Sequence, residues 1–456
     1  MREDTAGTRI RNRVRVFVLM FSVLLLSGPA VAQWDVWETH QDVPAPFATN
    51  RAPTQPSVAI DNTVVHVAFV ARVATFGTWE VYYNSRTTGW GTPQRLSAVN
   101  RTNCLGPPPR SCSAFEPDIA VWSDAIGRSV YVVWTQKDAN NPVGAIYLTA
   151  NQNGGFGPWT QPIRVTSPDA AAQNPSVAVD ENYVFVAFAQ QDGSFGRRII
   201  AARLNRQGAL DCHIAVTGDY GYRDDVAPDL VVDKSGSVHV LNVVYQSRTK
   251  NMLGMPTGPW GIWAARNGPQ CFALWPSRVR IDSPSIFDFQ STSPSLAHSG
   301  GRYLFVAWQE KPPDTPPLVS AWRVRYHRND NLSTWTSWDP SNIRTVYSVP
   351  GVAQTQPSIA ACTTCVVGVA WTQQLAASTE VVFSWSEDLG KSWNAPISIS
   401  SGVPALPTAS QPALAMDERR GATDALIPRF HAAWNSYVVG PPLDNSVKYR
   451  RSSQGC

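Results

Sequence analysis

Arginine, tyrosine and carboxylates crowd a few segments of this chain that read as loops. Tyr222-Arg223-Asp224-Asp225 is the densest, followed by Phe287-Asp288-Phe289 and the stretch 246–259. A carbohydrate or protein ligand needs both stacking faces and directional hydrogen bonds, and aromatics mixed with amides, carboxylates and guanidinium groups supply them. Tyr222, Arg223, Asp225 and Asp288 are therefore candidate ligand contacts. A second set recurs just after an aromatic that closes a strand-like run: Gln136, Gln190, Gln309-Glu310, Gln373 and Asn435. These residues either cap strand ends or face a ligand as a ring. On the second reading Gln136, Gln190, Glu310 and Gln373 join the candidate set, together with Arg72 and Glu116. The chain has 13 Tyr and 38 basic residues, only six of them Lys, so solvated or bridging Arg is the competing reading for any single pair.

Other chemistries lack sequence support. The seven His (40, 66, 213, 239, 298, 327 and 431) are scattered, and His66 and His239 read as matching repeat positions, which argues for structure. No nucleophile elbow, phosphate loop or zinc-protease motif occurs. The seven Cys suit an oxidising compartment. Cys104 with Cys112 and Cys362 with Cys365 are expected to be bridged, Cys212 with Cys271 form a longer-range pair, and Cys456 is left odd. One CxxC without a second ligand pair does not make a metal site. Neither a metal nor a cofactor is expected.

Residues 1–32 read as a signal peptide. Arg9, Arg11, Arg13 and Arg15 precede the apolar run 16–26, and Ala30-Val31-Ala32 offers small residues to a signal peptidase, so the mature chain is expected to start at Gln33. The apolar run is about half of the ~20 residues that span a bilayer. Five of the 38 basic and two of the 34 acidic residues lie in this segment, which leaves 33 against 32, a net charge of +1. The apparent basicity is thus an export signal, and no nucleic-acid partner is expected. A secreted or periplasmic location follows, with no membrane span after cleavage.

The elements that must hold these residues repeat. Gln55-Pro56-Ser57-Val58-Ala59-Ile60-Asp61 returns as Glu116-Pro117-Asp118, Asn174-Pro175-Ser176, Pro228-Asp229, Ser293-Pro294-Ser295, Gln356-Pro357-Ser358 and Gln411-Pro412-Ala413. The seven marker prolines stand 53 to 66 residues apart. Each copy holds an apolar run, a turn, and a second β-branched run ending in an aromatic such as Phe69, Trp134, Phe188, Trp308, Trp371 or Trp434. A third strand and a short polar fourth follow. Four strands in a repeat of about sixty residues is one propeller blade. The expected fold is all-β, a seven-bladed propeller over 33–456. The seventh repeat stops after its third strand, so Trp34–His40 is expected to supply the missing outer strand beside Val447–Arg450 and to close the ring.

Ser386-Glu387-Asp388-Leu389-Gly390-Lys391-Ser392-Trp393 matches the Asp-box pattern S-x-D-x-G-x-x-W at each fixed position. Asp388 is expected to accept turn amides, Gly390 to take a backbone angle other residues resist, and Trp393 to pack across the hairpin. Degenerate copies stand at Asp330 with Trp335, Gly155 with Trp159, and Ser85 with Gly89-Trp90.

Together, P-S-x-A-x-D, V-x-V-A-W and the Asp box resemble the bacterial sialidase-like Asp-box (BNR) repeat proteins, over essentially all of 33–456. The resemblance implies a propeller whose boxes lie on the face opposite the catalytic one. It further implies a Tyr nucleophile assisted by Glu, an Asp acid/base and three Arg that clamp a carboxylate. The first clamp Arg belongs to an Arg-Ile-Pro motif, which this chain lacks; Ile427-Pro428-Arg429 has the residues reordered in the wrong repeat. The expectation is a monomeric, non-catalytic propeller that binds a glycan or a cell-envelope protein on its loop-rich face. The alternative is a divergent glycoside hydrolase acting on acidic sugars.

Overall fold

The computed structural model describes residues 36–45, 53–61, 64–73, 78–97, 113–124, 127–137, 144–192, 196–218, 222–235, 238–267, 275, 278–282, 289–299, 303–313, 321–330, 338–362, 366–401, 407–420, 426–438 and 445–452. For 234, 235, 238, 239, 407, 418–420, 426–428, 437, 438 and 445 only the backbone is described. The expected signal peptide, Asp288, Trp335, Cys104, Cys112, Cys271, Cys365 and Cys456 lie outside these residues.

Strand β1 (Gln41–Val43) precedes a run of antiparallel meanders. The first is β2 (Thr54–Asp61), β3 (Val64–Arg72), β4 (Trp79–Arg86) and β5 (Gln94–Arg95). The second is β6 (Ser113–Ser123), β7 (Arg128–Lys137), β8 (Ala145–Asn151) and β9 (Ile163–Arg164). Next come β10 (Ala172–Val179), β11 (Tyr183–Asp192), β12 (Gly196–Asn205) and β13 (Leu210–Ala215), then β14 (Arg223–Ser235), β15 (Val238–Thr249), β16 (Gly261–Asn267) and β17 (Arg278–Arg280). These two meanders count as one eight-stranded sheet, joined by a single parallel pairing of Arg197 with Asp224. Then follow β18 (Gln290–Ser299), β19 (Tyr303–Lys311), β20 (Arg323–Asn329) and β21 (Arg344–Tyr347), and after them β22 (Gln354–Ala361), β23 (Val367–Gln374), β24 (Thr379–Ser386) and β25 (Ile397–Ser398). The last sheet has the order β1-β28-β27-β26, with β26 (Pro407–Arg420), β27 (Leu426–Val438) and β28 (Asn445–Arg451). The arrangement is all-β and propeller-like.

The sequence dictates the second strands most directly. Val64–Ala71 are all buried, because a run of Val, Ala and Phe covered by a sheet on each side needs no polar face, and its one polar member, His66, bonds the Tyr83 hydroxyl. Side chains interleave between neighbouring sheets, as where Val67 and Phe69 of the first meander meet Ala433, Val447 and Tyr449 of the last sheet.

The repeated X-Pro dipeptide has a specific backbone role. Gln55, Glu116, Asn174, Ala227, Ser293, Gln356 and Gln411 all hold positive φ, between 49° and 55°. The register skips there in all seven pairs, as between Thr54 and Ser57. The skipped pair is a β-bulge opposite one aromatic: Phe69, Trp134, Phe188, Tyr245, Trp308, Trp371 or Trp434, each fully buried. A left-handed non-glycine residue costs about 1–3 kcal/mol and persists only where its surroundings demand it. Here the demand is an inter-sheet latch. Glu116 N donates to Gln55 Oε1 (2.9 Å), Asn174 N to Glu116 Oε2 (2.8 Å), and Gln411 N to Gln356 Oε1 (3.2 Å). Where the left-handed residue is too short to accept, a glutamine beside it on the second strand takes over. Gln246, next to Ala227, accepts from Ser293 N at 2.9 Å, and Gln309, next to Ser293, accepts from Gln356 N at 2.7 Å.

The expected N-terminal strand pairs with the last repeat, shifted along the chain. Gln41, Asp42 and Val43 pair with Tyr449, Lys448 and Val447, while Trp37 bridges Ser452 and Glu38 N donates to Arg451 O at 2.9 Å. Two ion pairs fasten it, Lys448 to Asp42 (2.6 Å) and Arg451 to Glu38.

Two further expectations are corrected. The residue equivalent to His66 is His431, not His239: both lie three residues before the bulge aromatic, and both rings bond a tyrosine hydroxyl at 2.7 Å, Tyr83 and Tyr449. Asn242 holds that place in the fourth repeat. Burial lowers the His66 pKa, so the imidazole is neutral and structural. The bridge expected at Cys362 is not formed: Cys362 is a buried thiol whose sulfur accepts from Val366 N at 3.4 Å. The turn between β22 and β23 uses the sulfur as a hydrogen-bond acceptor. Cys212, on β13, is disulfide-bonded.

Candidate functional site

Two adjoining cavities lie among the X-Pro dipeptides of the first strands. One, about 290 Å³, is lined by X-Pro pairs including Gln55-Pro56 and Glu116-Pro117; the other, about 310 Å³, reaches Asp118, Ser176 and Asp229. The carboxylates here are engaged by the fold. Glu116 accepts from Asn174 N and Nδ2 and from Thr135 Oγ1 (2.9 Å). Asp118 accepts from Val177 N at 2.8 Å and Ser57 Oγ at 2.7 Å, and Asp229 from Leu296 N at 2.6 Å and Ser176 Oγ at 3.1 Å. Burial raises all three pKa values; that of Asp229, pushed further by the charge of Asp118, is about 7.

A different cluster stands on the rim where second strands end and third strands begin. Asp224, with a side chain 1% exposed, is gripped by Arg197 Nε (2.7 Å), Arg248 Nη2 (3.2 Å) and Lys250 Nζ (3.4 Å). Burial opposes its ionisation, yet the Arg197 hydrogen bond and charge prevail and its pKa is lowered. Beside it, Arg223 donates to Ser247 Oγ at 2.7 Å and lies over the Trp263 ring at 4.6 Å, 3.6 Å from Asp225. Burial raises the Asp225 pKa against the hydrogen bond from Ser247 and the charge of Arg223. Burial and the charge of Arg278 lower that of Arg223. Arg248 lies over the Trp260 ring at 4.3 Å. Trp260 O accepts from Ser291 N at 3.0 Å, which carries the rim to the next sheet. There Arg323 (2.7 Å) and Arg325 (3.4 Å) meet the buried Glu310, and Arg323 lies 5.6 Å from the Phe289 ring centre.

Six cations (Arg197, Arg223, Arg248, Lys250, Arg323 and Arg325) thus face three carboxylates (Asp224, Asp225 and Glu310). The excess positive charge suits an anion, and guanidinium forks suit carboxylate or sulfate geometry. The Trp263 ring is covered by Arg223 and by Arg278 (5.4 Å), and that of Trp260 by Arg248.

The structure brings together Arg223, Asp225 and the exposed Tyr222, with Glu310 one sheet away. Of the other described candidates, Arg72 ends β3, Glu116 lines both cavities, Gln190 pairs with Arg198 next to Arg197, and Gln136 and Gln373 belong to two further sheets. Gln136 accepts from Trp134 Nε1 at 3.3 Å and Gln373 donates to Glu380 at 3.3 Å, both within their own sheets. The Asp box is structural: Asp388 Oδ1 accepts from Ser392 N at 2.9 Å and Ser386 Oγ at 2.7 Å, Gly390 has φ +80°, and Trp393 packs edge-on against Tyr326 at 5.1 Å. Sequence reasoning missed Arg197, Trp260, Arg323 and Arg325, and named Arg248 and Lys250 only within the stretch 246–259. The signal available was a charged tail on second strands, as in Ser247-Arg248-Thr249-Lys250.

No protein-family model matches the chain, and no curated protein matches it. Among solved structures it is similar to an ulvan lyase, a polysaccharide lyase, with TM-score 0.54 at 11% identity over 89% of this chain and 94% of that one. A second structure of that lyase, bound to a unit of glucuronic acid and sulfated rhamnose, gives TM-score 0.55 at 11% identity over the same shares. A Trypanosoma rangeli sialidase mutant gives TM-score 0.44 at 9% identity, over 92% of this chain and 59% of that one. At these identities the likeness is one of fold.

Proposed function

We propose that this chain is an exported, single-domain propeller of seven four-stranded blades that engages an acidic polysaccharide through the cationic rim. The observation that carries the ligand class is the set of six cations against three carboxylates, with Arg223 over Trp263 and Arg248 over Trp260. A neutral glycan would not need that charge, and an apolar ligand would not tolerate it. The blade count is supported by the seven X-Pro bulges and by the latch between the first and last repeats.

Affinity electrophoresis through gels containing polygalacturonate, a sulfated polysaccharide or neutral dextran tests the reading. The chain should be retarded by the two polyanions and not by dextran. Arg248→Ala and Arg323→Ala should each weaken retardation several-fold and reduce its salt dependence. Equal mobility in all three gels would rule the reading out.

Cleavage of that polymer is the second reading. It is favoured by Asp225, a carboxyl that burial holds toward its protonated form beside Arg223 and can offer a proton to a leaving oxygen. It also agrees with the shared fold of a lyase whose bound saccharide contains a uronic acid. Release of new chain ends from the same polymers, abolished in Asp225→Asn, would support it. No turnover on any of them would leave a binding protein.

A further inference from the structure

Between β15 and β16 the chain leaves the cationic rim as a small, internally bonded turn. Lys250 bridges Pro256, Asn251 N donates to Met255 O at 2.8 Å, and Thr257 N to Thr249 O at 3.0 Å. Asn251 Oδ1 accepts from both Leu253 N and Met255 N at 2.9 Å, and Gly254 turns the chain at φ +75°. The turn holds its side chains outward. Met252 is 77% exposed, Leu253 79% and Met255 60%, the three most exposed large apolar residues among those described. A cluster of this kind marks an interaction surface, unlike single exposed apolar residues.

The collar of this tip tells what it fits. Tyr222, itself half-exposed, accepts from Lys250 N through its carbonyl at 2.7 Å. Lys250, Arg248 and Arg197 surround Asp224 and exceed it by two charges. A convex apolar point with a tyrosine and a cationic ring at its base matches the layers of a bilayer surface: acyl chains, the interface where Tyr settles, and anionic headgroups. A protein pocket that received the tip would also have to bury or match the cations at its base. Unbranched Met and Leu side chains adapt to a fluid medium at little cost.

We propose that the tip Met252-Leu253-Gly254-Met255 inserts into a phospholipid surface bearing anionic headgroups and seats the cationic rim on it. Cosedimentation of the exported chain with vesicles of phosphatidylcholine alone, or of phosphatidylcholine with phosphatidylglycerol, tests this. Binding is expected to the mixed vesicles, to weaken as salt is raised, and to be near background on the neutral ones. Leu253→Ser should weaken binding about tenfold while leaving the melting temperature and the retardation by polygalacturonate unchanged. Arg248→Ala should weaken both vesicle and polysaccharide binding. The proposal is overturned if the mixed vesicles sediment without protein, or if Leu253→Ser binds them as the parent does. Either result leaves the polysaccharide reading to its own assay, since the tip residues take no part in it.

Discussion

The backbone amide of Gln55 donates to Oε1 of Gln411 at 3.2 Å, and the hydroxyl of Thr54 donates to the same oxygen at 2.9 Å. These bonds join the first and last repeats across 356 residues of sequence, by the same contact that joins Glu116 to Gln55 and Gln411 to Gln356. A second contact of like kind is Trp90 against Tyr449, ring centres 5.3 Å apart and 88° inclined, which parallels Trp159 on Tyr83 and Trp393 on Tyr326.

The latch predicts an exchange of side chains within the chain. Gln246→Ala removes the acceptor of Ser293 N and should cost about 1 kcal/mol. Adding Gln at position 227 and Thr at 246 (Ala227→Gln with Gln246→Thr) copies the pairing of Gln356 with Thr372, whose hydroxyl donates to Gln356 Oε1 at 3.1 Å. Urea midpoints should show the double variant recovering most of the loss; a double variant no better than Gln246→Ala would refute the exchange.

Deleting residues 33–43 strips the pairing of β1 with β28, both terminal ion pairs, and the edge-on contact of Trp37 with Phe383 at 5.1 Å. Several hydrogen bonds lost together rival a domain's net stability, and the bared strand is a template for aggregation. The truncated chain should melt far below the parent and scatter light on heating. A melting temperature within a few degrees of the parent would show that β1 does not close the structure.

Asp229 makes stability fall as pH rises. Its pKa in the folded chain is about 7, above that of an ordinary carboxyl, so its favourable contribution is complete below about pH 4 and is lost as pH climbs to about 7. Asp229→Asn cannot ionise. The stability difference between parent and variant should therefore shift toward the variant from pH 4 to pH 7 and flatten above. A difference constant over that range would contradict the buried, proton-holding carboxyl.

Two glycines separate backbone strain from crowding. A Cβ on Gly390 would meet Tyr326 at 2.2 Å, whereas one on Gly351 meets nothing within 4 Å, although φ is +80° and +75° respectively. Gly351→Ala should cost about 1 kcal/mol, and Gly390→Ala about 3 kcal/mol or more, because the tyrosine ring cannot yield. Equal losses by thermal denaturation would mean that the Asp-box turn does not dock on Tyr326.

The repeat was legible from sequence alone because each copy solves the same local problem. A bulge opposite a buried aromatic needs proline at a set place, with Phe69, Trp134 or Trp371 on the next strand, and a hairpin such as 386–393 needs Asp388 and Gly390 at set positions. Such constraints act over a few residues, so periodicity records them. The strand that closes the last sheet could be named by elimination, but its register at Gln41–Val43 followed from the Asp42–Lys448 and Glu38–Arg451 pairs. Equally, only the tertiary register put His431 rather than His239 opposite the role of His66, and set Gln246 in place of the short Ala227. The cationic rim lay furthest from view. Arg197 comes from one meander, Arg248 and Lys250 from the next, and Arg323 and Arg325 from the one after. Their convergence depends on how sheets twist and stack side by side, which no spacing along a single strand encodes.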